Sequence, residues 1–208
     1  MKKYLVILFC LVGLAVSQTA NALTMQYNLT SDHCTGGCGP LGTVFGIVTV
    51  GQSGTTVDIT VHLNSPYAFA NTGSADNQAF KFNAIGVAVG DITVDAHTPG
   101  LAANAGAFNG DGTGAFGFGI FCGSCGGGLS SGFTNDIVFH VANATIADLT
   151  VPNLNGNVFV ADVGNTITGL TGPIDATTGS VPDGGSTVTL LGSVLLGLAV
   201  LRRRFGKN

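Results

Sequence analysis

Four cysteines carry the spacing that most resembles chemistry: Cys34-Thr-Gly-Gly-Cys38 and Cys122-Gly-Ser-Cys125. Two close thiol pairs can close a tetrahedral zinc site, and C-x-x-C is also a redox motif. The choice turns on the compartment, which the N-terminus sets. Lys2 and Lys3 precede an apolar run from Tyr4 to Val16, and Ala20-Asn21-Ala22 has the small-x-small pattern of a cleavage site. Residues 1–22 therefore read as a secretory signal peptide cut by signal peptidase after Ala22. An apolar run of about 13 residues is short for a spanning helix. Cys10 is no lipid-attachment site, because Phe9 stands where a small residue is needed. Exported thiols are oxidised, which favours disulfides for Cys34, Cys38, Cys122 and Cys125 over a metal site. Each cluster can close on itself or cross-link to the other, and only crossed pairings would restrict a long loop. Redox catalysis would need a βαβ setting that is absent around Cys122.

The remaining matches to reactive motifs fail on context. Gly112-Thr-Gly-Ala-Phe-Gly117 has the G-x-G-x-x-G spacing, but a dinucleotide fingerprint must open a helix, and Phe118-Gly-Ile-Phe-Cys is strand-like. Gly128-Leu-Ser-Ser-Gly132 matches G-x-S-x-G at Ser130, yet glycines precede it and a predicted strand follows. A nucleophile elbow needs strand before and helix after. Asn109-Gly-Asp-Gly112 offers hard oxygens without the further carboxylates of a calcium loop, so a tight turn is expected. His33, His62, His97 and His140 form no H-E-x-x-H, and Asp91 and Asp95 carry no glycosidase spacing. The expectation is no catalytic residue, no metal and no cofactor.

The elements that would position these residues are strands. All eleven acidic residues are aspartates, and between Leu23 and Leu201 the only base is Lys81. So few cations exclude a phosphate-backbone partner, hence nucleic acid. Scarce Glu, Lys and Arg leave little to cover exposed helix faces. Abundant Gly, Thr, Val, Asn and Asp suit short strands and turns. Thr43–Val50 and Thr55–Leu63 predict a hairpin turning at Gly51–Gly54, with Val57, Ile59, Val61 and Leu63 on one face and Asp58, Thr60 and His62 on the other. Further strands are predicted over 79–89, 91–95, 115–121, 136–145 and 157–163. Thr98–Gly114 and Gly164–Ser180 read as loops, the first Gly- and Ala-rich, the second partly a spacer. The fold expected is all-β, an antiparallel β-sandwich or jelly roll.

The C-terminal region departs from this pattern. Ser186–Leu201 is uncharged, and as a helix it would span about 24 Å against a hydrocarbon core of roughly 30 Å. It has no polar stripe to mark a packed amphipathic helix. Arg202, Arg203 and Arg204 follow, with Lys207 beyond, so four of the seven basic residues occupy the last seven positions. The positive-inside rule leaves these arginines in the cytoplasm and the body outside. Ahead of the helix stand Val181, Pro182, Asp183, Gly184 and Gly185. Pro182 opposes helix across this stretch, and the glycines leave the backbone open to a protease.

Motif, short apolar helix and arginine cluster together resemble the PEP-CTERM class of bacterial sorting signals, most closely its VPDSG-type variant. Gly184 stands where that variant has serine. The resemblance covers roughly the last 28 residues. It implies recognition by an exosortase, a membrane transpeptidase-like protease that cuts near the motif and delivers the protein to the outer surface or matrix. It also implies a Gram-negative, biofilm- or polysaccharide-producing host.

The expected organisation is a signal peptide over 1–22, a β-sandwich ectodomain over 23–170, and a spacer with sorting motif over 171–185. A transmembrane helix over 186–201 and a basic tail over 202–208 follow. The function expected is that of an exported surface or matrix protein, structural or interactive and not an enzyme, with polysaccharide as a candidate partner. A carbohydrate-binding or adhesive module is one alternative, weakened by the absence of Trp and by only three tyrosines, Tyr4, Tyr27 and Tyr67. A secreted hydrolase whose site is assembled by folding is the other.

Overall fold

The computed structural model describes residues 23–72, 76–95, 100–177 and 179–180. The stretch read as a signal peptide, with Ala20 and Ala22, together with His97, the motif from Val181 to Gly185, the segment expected to span the membrane and Arg202–Arg204, lies outside the described residues. Among the described residues no helix is long and apolar enough to cross a membrane.

The chain opens with β1 (Thr24–Leu29), β2 (Ser31–Asp32), β3 (Gly46–Ser53), β4 (Thr56–Leu63), β5 (Tyr67–Asn71), β6 (Gln78–Phe82) and β7 (Ile92–Val94). It continues with β8 (Leu101–Asn109), β9 (Ala115–Cys122), β10 (Gly128–Phe133) and β11 (Ile137–Ala142). A one-turn helix α1 (Ile146–Leu149) precedes β12 (Phe159–Asn165), β13 (Thr171–Ala176) and β14 (Gly179–Ser180). The first sheet runs β14-β1-β3-β4-β11-β7. In the second, β12 is the hub: β13 pairs along one edge, while β6 and β5 share the other. Beyond them lie β9 and β8 on one side and β10 on the other, and β2 flanks β13. All these strand pairs are antiparallel.

The β3–β4 hairpin follows the alternation of its sequence. Val57, Ile59, Val61 and Leu63 are buried, while Asp58, Thr60 and His62 are not. Its turn is tighter than expected: Ser53 pairs with Thr56, and Gly54 takes φ 61° at the first loop position. That is where a two-residue hairpin needs a positive φ. The two sheets meet through aromatic rings. Tyr27 on β1 packs edge-on to Phe159 on β12 at 4.9 Å, and Phe139 on β11 lies 5.3 Å from Phe82 on β6. Such pairs bury large apolar area and favour offset or edge geometry.

Two stretches read as loops contain strands. Within Thr98–Gly114, Leu101–Asn109 is β8, paired with β9 from Leu101↔Cys122 to Asn109↔Ala115 across a register shift. Its Ala and Gly residues carry almost no β signal of their own, and the partner strand decides. Within Gly164–Ser180, Thr171–Ala176 is β13, so the folded body runs past the spacer boundary expected at residue 171. Pro173 fits there because its carbonyl accepts the His33 N–H at 3.1 Å, a bond that needs no proline donor.

Candidate functional site

The second sheet has a polar layer on the face turned away from the aromatic core. Phe159, Ala161 and Val163 of β12 face that core, yet every residue of the strand is buried, including Val160, Asp162 and Gly164. Lys81 pairs with Val160 across β6 and β12, which places Asp162 one diagonal step away on the same face. Asp175 of β13 stands opposite Val160 from the other edge. Opposite Lys81 on β9 is Gly119, where a Cβ would collide with the Gln78 carboxamide. The missing side chain therefore leaves room for this layer.

Lys81 is 0% exposed and Asp162 2%. Lys81 Nζ lies 3.1 Å from Asp162 Oδ1 and 3.8 Å from Asp76 Oδ1, and it donates to the Gln78 carbonyl at 3.0 Å. Asp162 Oδ2, Asp76 Oδ2 and Gln78 Oε1 are buried without a hydrogen-bond partner. Burial pushes the Asp162 carboxyl up to about 6 against the pull of the Lys81 ammonium. Beside this cluster is a groove of about 400 Å³ lined by His33, Thr35, Thr72, Asp111, Leu170 and Pro173. Thr72 is itself buried.

His33, on the groove wall, meets a serine and an aspartate, but not as a relay. Ser31 Oγ lies 3.1 Å from His33 Nε2, and Asp175 Oδ2 lies 2.7 Å from the same nitrogen. A triad needs the acid on one ring nitrogen and the nucleophile on the other. Burial raises the Asp175 carboxyl, with the His33 hydrogen bond opposing it. Ser130 is equally removed from nucleophilic chemistry. It sits within β10 and donates to the Gly127 carbonyl at 3.0 Å. Gly112–Gly117 leads from a turn into β9, not into a helix.

Each cysteine cluster closes on itself, as Cys34–Cys38 and Cys122–Cys125. Asp32, Cys34 and Cys38 are the one group among the described residues close enough to share an ion, but both sulfurs are bonded to each other. The Asp32 carboxylate is also committed. It accepts the backbone N–H groups of Cys34 (2.8 Å), Cys38 (2.8 Å) and Gly39 (3.2 Å), and so fastens the disulfide loop. The remaining described histidines lie on the outer face of the first sheet. His62 Nδ1 meets Asp136 at 2.7 Å. His140 stands between Asp58 (2.6 Å) and Asp95 (3.0 Å). The Asp58 hydrogen bond leads in raising the His140 pKa, with burial opposing and Asp95 assisting.

The body's architecture names no activity, whereas the segment following β14 has a match. Residues 180–205 match the VPDSG-CTERM motif. This segment is a PEP-CTERM-type exosortase sorting signal. The sorting signal supports export and cell-surface targeting, and it implies processing by an exosortase-type enzyme. Neither a curated protein nor a solved structure matches the chain.

Sequence reasoning passed over the Lys81–Asp162–Asp76 cluster and the His33–Asp175 pair. One signal was available: Lys81 is the sole base in some 180 residues of body, and a cation so isolated needs a reason.

Proposed function

We propose that this chain is an exported structural or interactive protein of the cell surface or extracellular matrix, in a Gram-negative, biofilm- or polysaccharide-producing bacterium. The signal peptide is removed by signal peptidase. The apolar segment then anchors the precursor in the inner membrane, with Arg202, Arg203 and Arg204 inside and the two-sheet sandwich outside. An exosortase cuts near Val181–Gly185 and passes the body to the surface. The observation that carries this reading is the sorting-motif match over residues 180–205.

The body works without catalysis. Supporting this, Ser130 is a strand residue bonded to its own loop, and Ser31 and Asp175 compete for one nitrogen of His33. A body with a single internal base and polarity from Thr, Asn and Gly suits a hydrated polysaccharide matrix. The test is mass spectrometry of the surface-localised protein. The expected C-terminus lies at or near the motif, and a surface form that retains Arg204 would overturn the sorting claim.

A further inference from the structure

The one buried cation of the described body does more than an ion pair requires. We propose that Lys81 and Asp162 condense into an intramolecular amide, a covalent isopeptide cross-link between β6 and β12 with Asp76 as the proton-transfer group. Four observations carry this. The ladder fixes both side chains on one face, one diagonal step apart, with Nζ 3.1 Å from Oδ1. That is the proximity that turns a slow bimolecular condensation into a fast intramolecular one. Both groups are sealed from water, so the neutral amine and neutral acid gain on the ion pair. A second carboxyl, Asp76, stands on the same ammonium at 3.8 Å, within reach to take and return a proton. Finally, the outer oxygens of both carboxyls have no partner, as expected of groups poised to exchange protons and release water.

The step balances without an oxidant or cofactor. Proton transfer within the pair gives –NH2 on Lys81 and –COOH on Asp162. The Nζ lone pair attacks Cγ and forms the C–N bond. Asp76 accepts a proton from the nitrogen and delivers it to the departing hydroxyl. The C–O bond breaks and one water leaves, so ammonium plus carboxylate becomes amide plus water. Two buried charges disappear. The raised Asp162 carboxyl, at about 6, supplies the protonated acid near neutral pH.

The sequence supplies an unusual test. Lys81 is the only Lys or Arg between Leu23 and Leu201, so trypsin can cut the body only there. An amide-capped Lys81 is not a trypsin site. The mature chain is purified, reduced, alkylated, denatured and then digested, and its intact mass is taken beforehand. The expected result is a mass short by one water and a body that stays uncut after Lys81. Proteolysis elsewhere should recover a branched peptide joining Lys81 to Asp162. D162A and D76A should each restore the full mass and the cut. Wild-type protein with full mass and clean cleavage after Lys81 overturns the proposal, whether or not the variants fold. So does a lost water with Lys81 still cleavable, which would place the dehydration elsewhere, as at Asp111-Gly112. An uncut Lys81 at full mass, or a different mass change, also overturns it.

Discussion

Each sheet turns a charged face away from the aromatic core, and the two faces are built on opposite terms. On the first sheet, His140 reaches Asp58 across β4 and Asp95 beyond β7, and all three side chains remain between 30% and 48% exposed. On the second, Lys81 and Asp162 meet at a similar distance with almost no exposure. The pairs look alike, but water separates them energetically. Exposed pairs are solvated with or without their partner, so their net worth is typically 0–1 kcal/mol. Buried charges have given up several kcal/mol of hydration each and depend on one another. A chain with one body cation has placed it where ionic chemistry is most demanding. A hydrated surface would be served as well by an exposed lysine.

The sharpest way to break this comparison is to remove one partner on each face. Lys81→Met leaves Asp162 and Asp76 facing each other in the dry layer, and should destabilise by about 3–5 kcal/mol in urea unfolding. Replacing both ends, as K81M with D162L, should recover the part of that loss due to the stranded carboxylate, because two well-packed apolar groups need no compensation, but not the part due to the lost cross-link. His140→Ala should cost less than about 1 kcal/mol at neutral pH. Equal costs on the two faces would show that the second layer is wetter than the structure has it.

The disulfides give an effect of middle size. Their loops span sequence separations of 4 and 3, so neither ties distant parts of the chain together. Chain-entropy arguments give about 2 kcal/mol for so short a loop. Replacing Cys34 and Cys38 by alanine should therefore lower stability by about 2 kcal/mol in reversible denaturation. The loop should persist on its three Asp32 hydrogen bonds. The Lys81–Asp162 amide would instead close a long stretch of chain, the role that neither disulfide fills.

How much of this was legible in the sequence depended on whether a strand carries its own signal. Val57, Ile59, Val61 and Leu63 alternate with polar residues, so β4 and its buried face could be read directly. Ile137, Phe139 and Val141 did the same for β11. β8 could not be read, because Leu101-Ala-Ala-Asn-Ala-Gly-Ala-Phe-Asn109 gains its conformation from β9 and not from its own side chains. β13 was hidden by Pro173 and Gly172. Gly172 is required at close approach, since a Cβ there would overlap the Cys34 backbone. The polar layer was illegible for a related reason. Asp162 and Lys81 lie 81 positions apart, and only the β6–β12 register makes them neighbours. Local pattern fixes faces within a strand, whereas sites assembled between strands depend on register.

The smallest expected effect is also the one that separates the faces by pH. The His140 pKa is raised in the folded chain, first by its hydrogen bond to Asp58. A raised pKa means that the folded state binds the proton more tightly than the unfolded chain does. The resulting stability is fully present below the unfolded value of about 6.5 and is lost as pH rises through the higher folded value. An unlinked Asp162, raised from 3.8 to about 6, has the same sign at a lower window: its contribution is present below 3.8 and is lost as pH rises through about 6. An amide-linked Asp162 does not titrate, so the acid-side window then belongs to Asp175, whose carboxyl burial also raises, and the upper window to His140. Denaturation midpoints measured from pH 4 to 9 should therefore decline from about 6.5 up through the raised His140 value, a decline that H140Q flattens, while K81M with D162L should leave the fall below 6 unchanged. A fall between about 4 and 6 that survives H140Q but shrinks in K81M with D162L would mean that Asp162 still carries a free carboxyl.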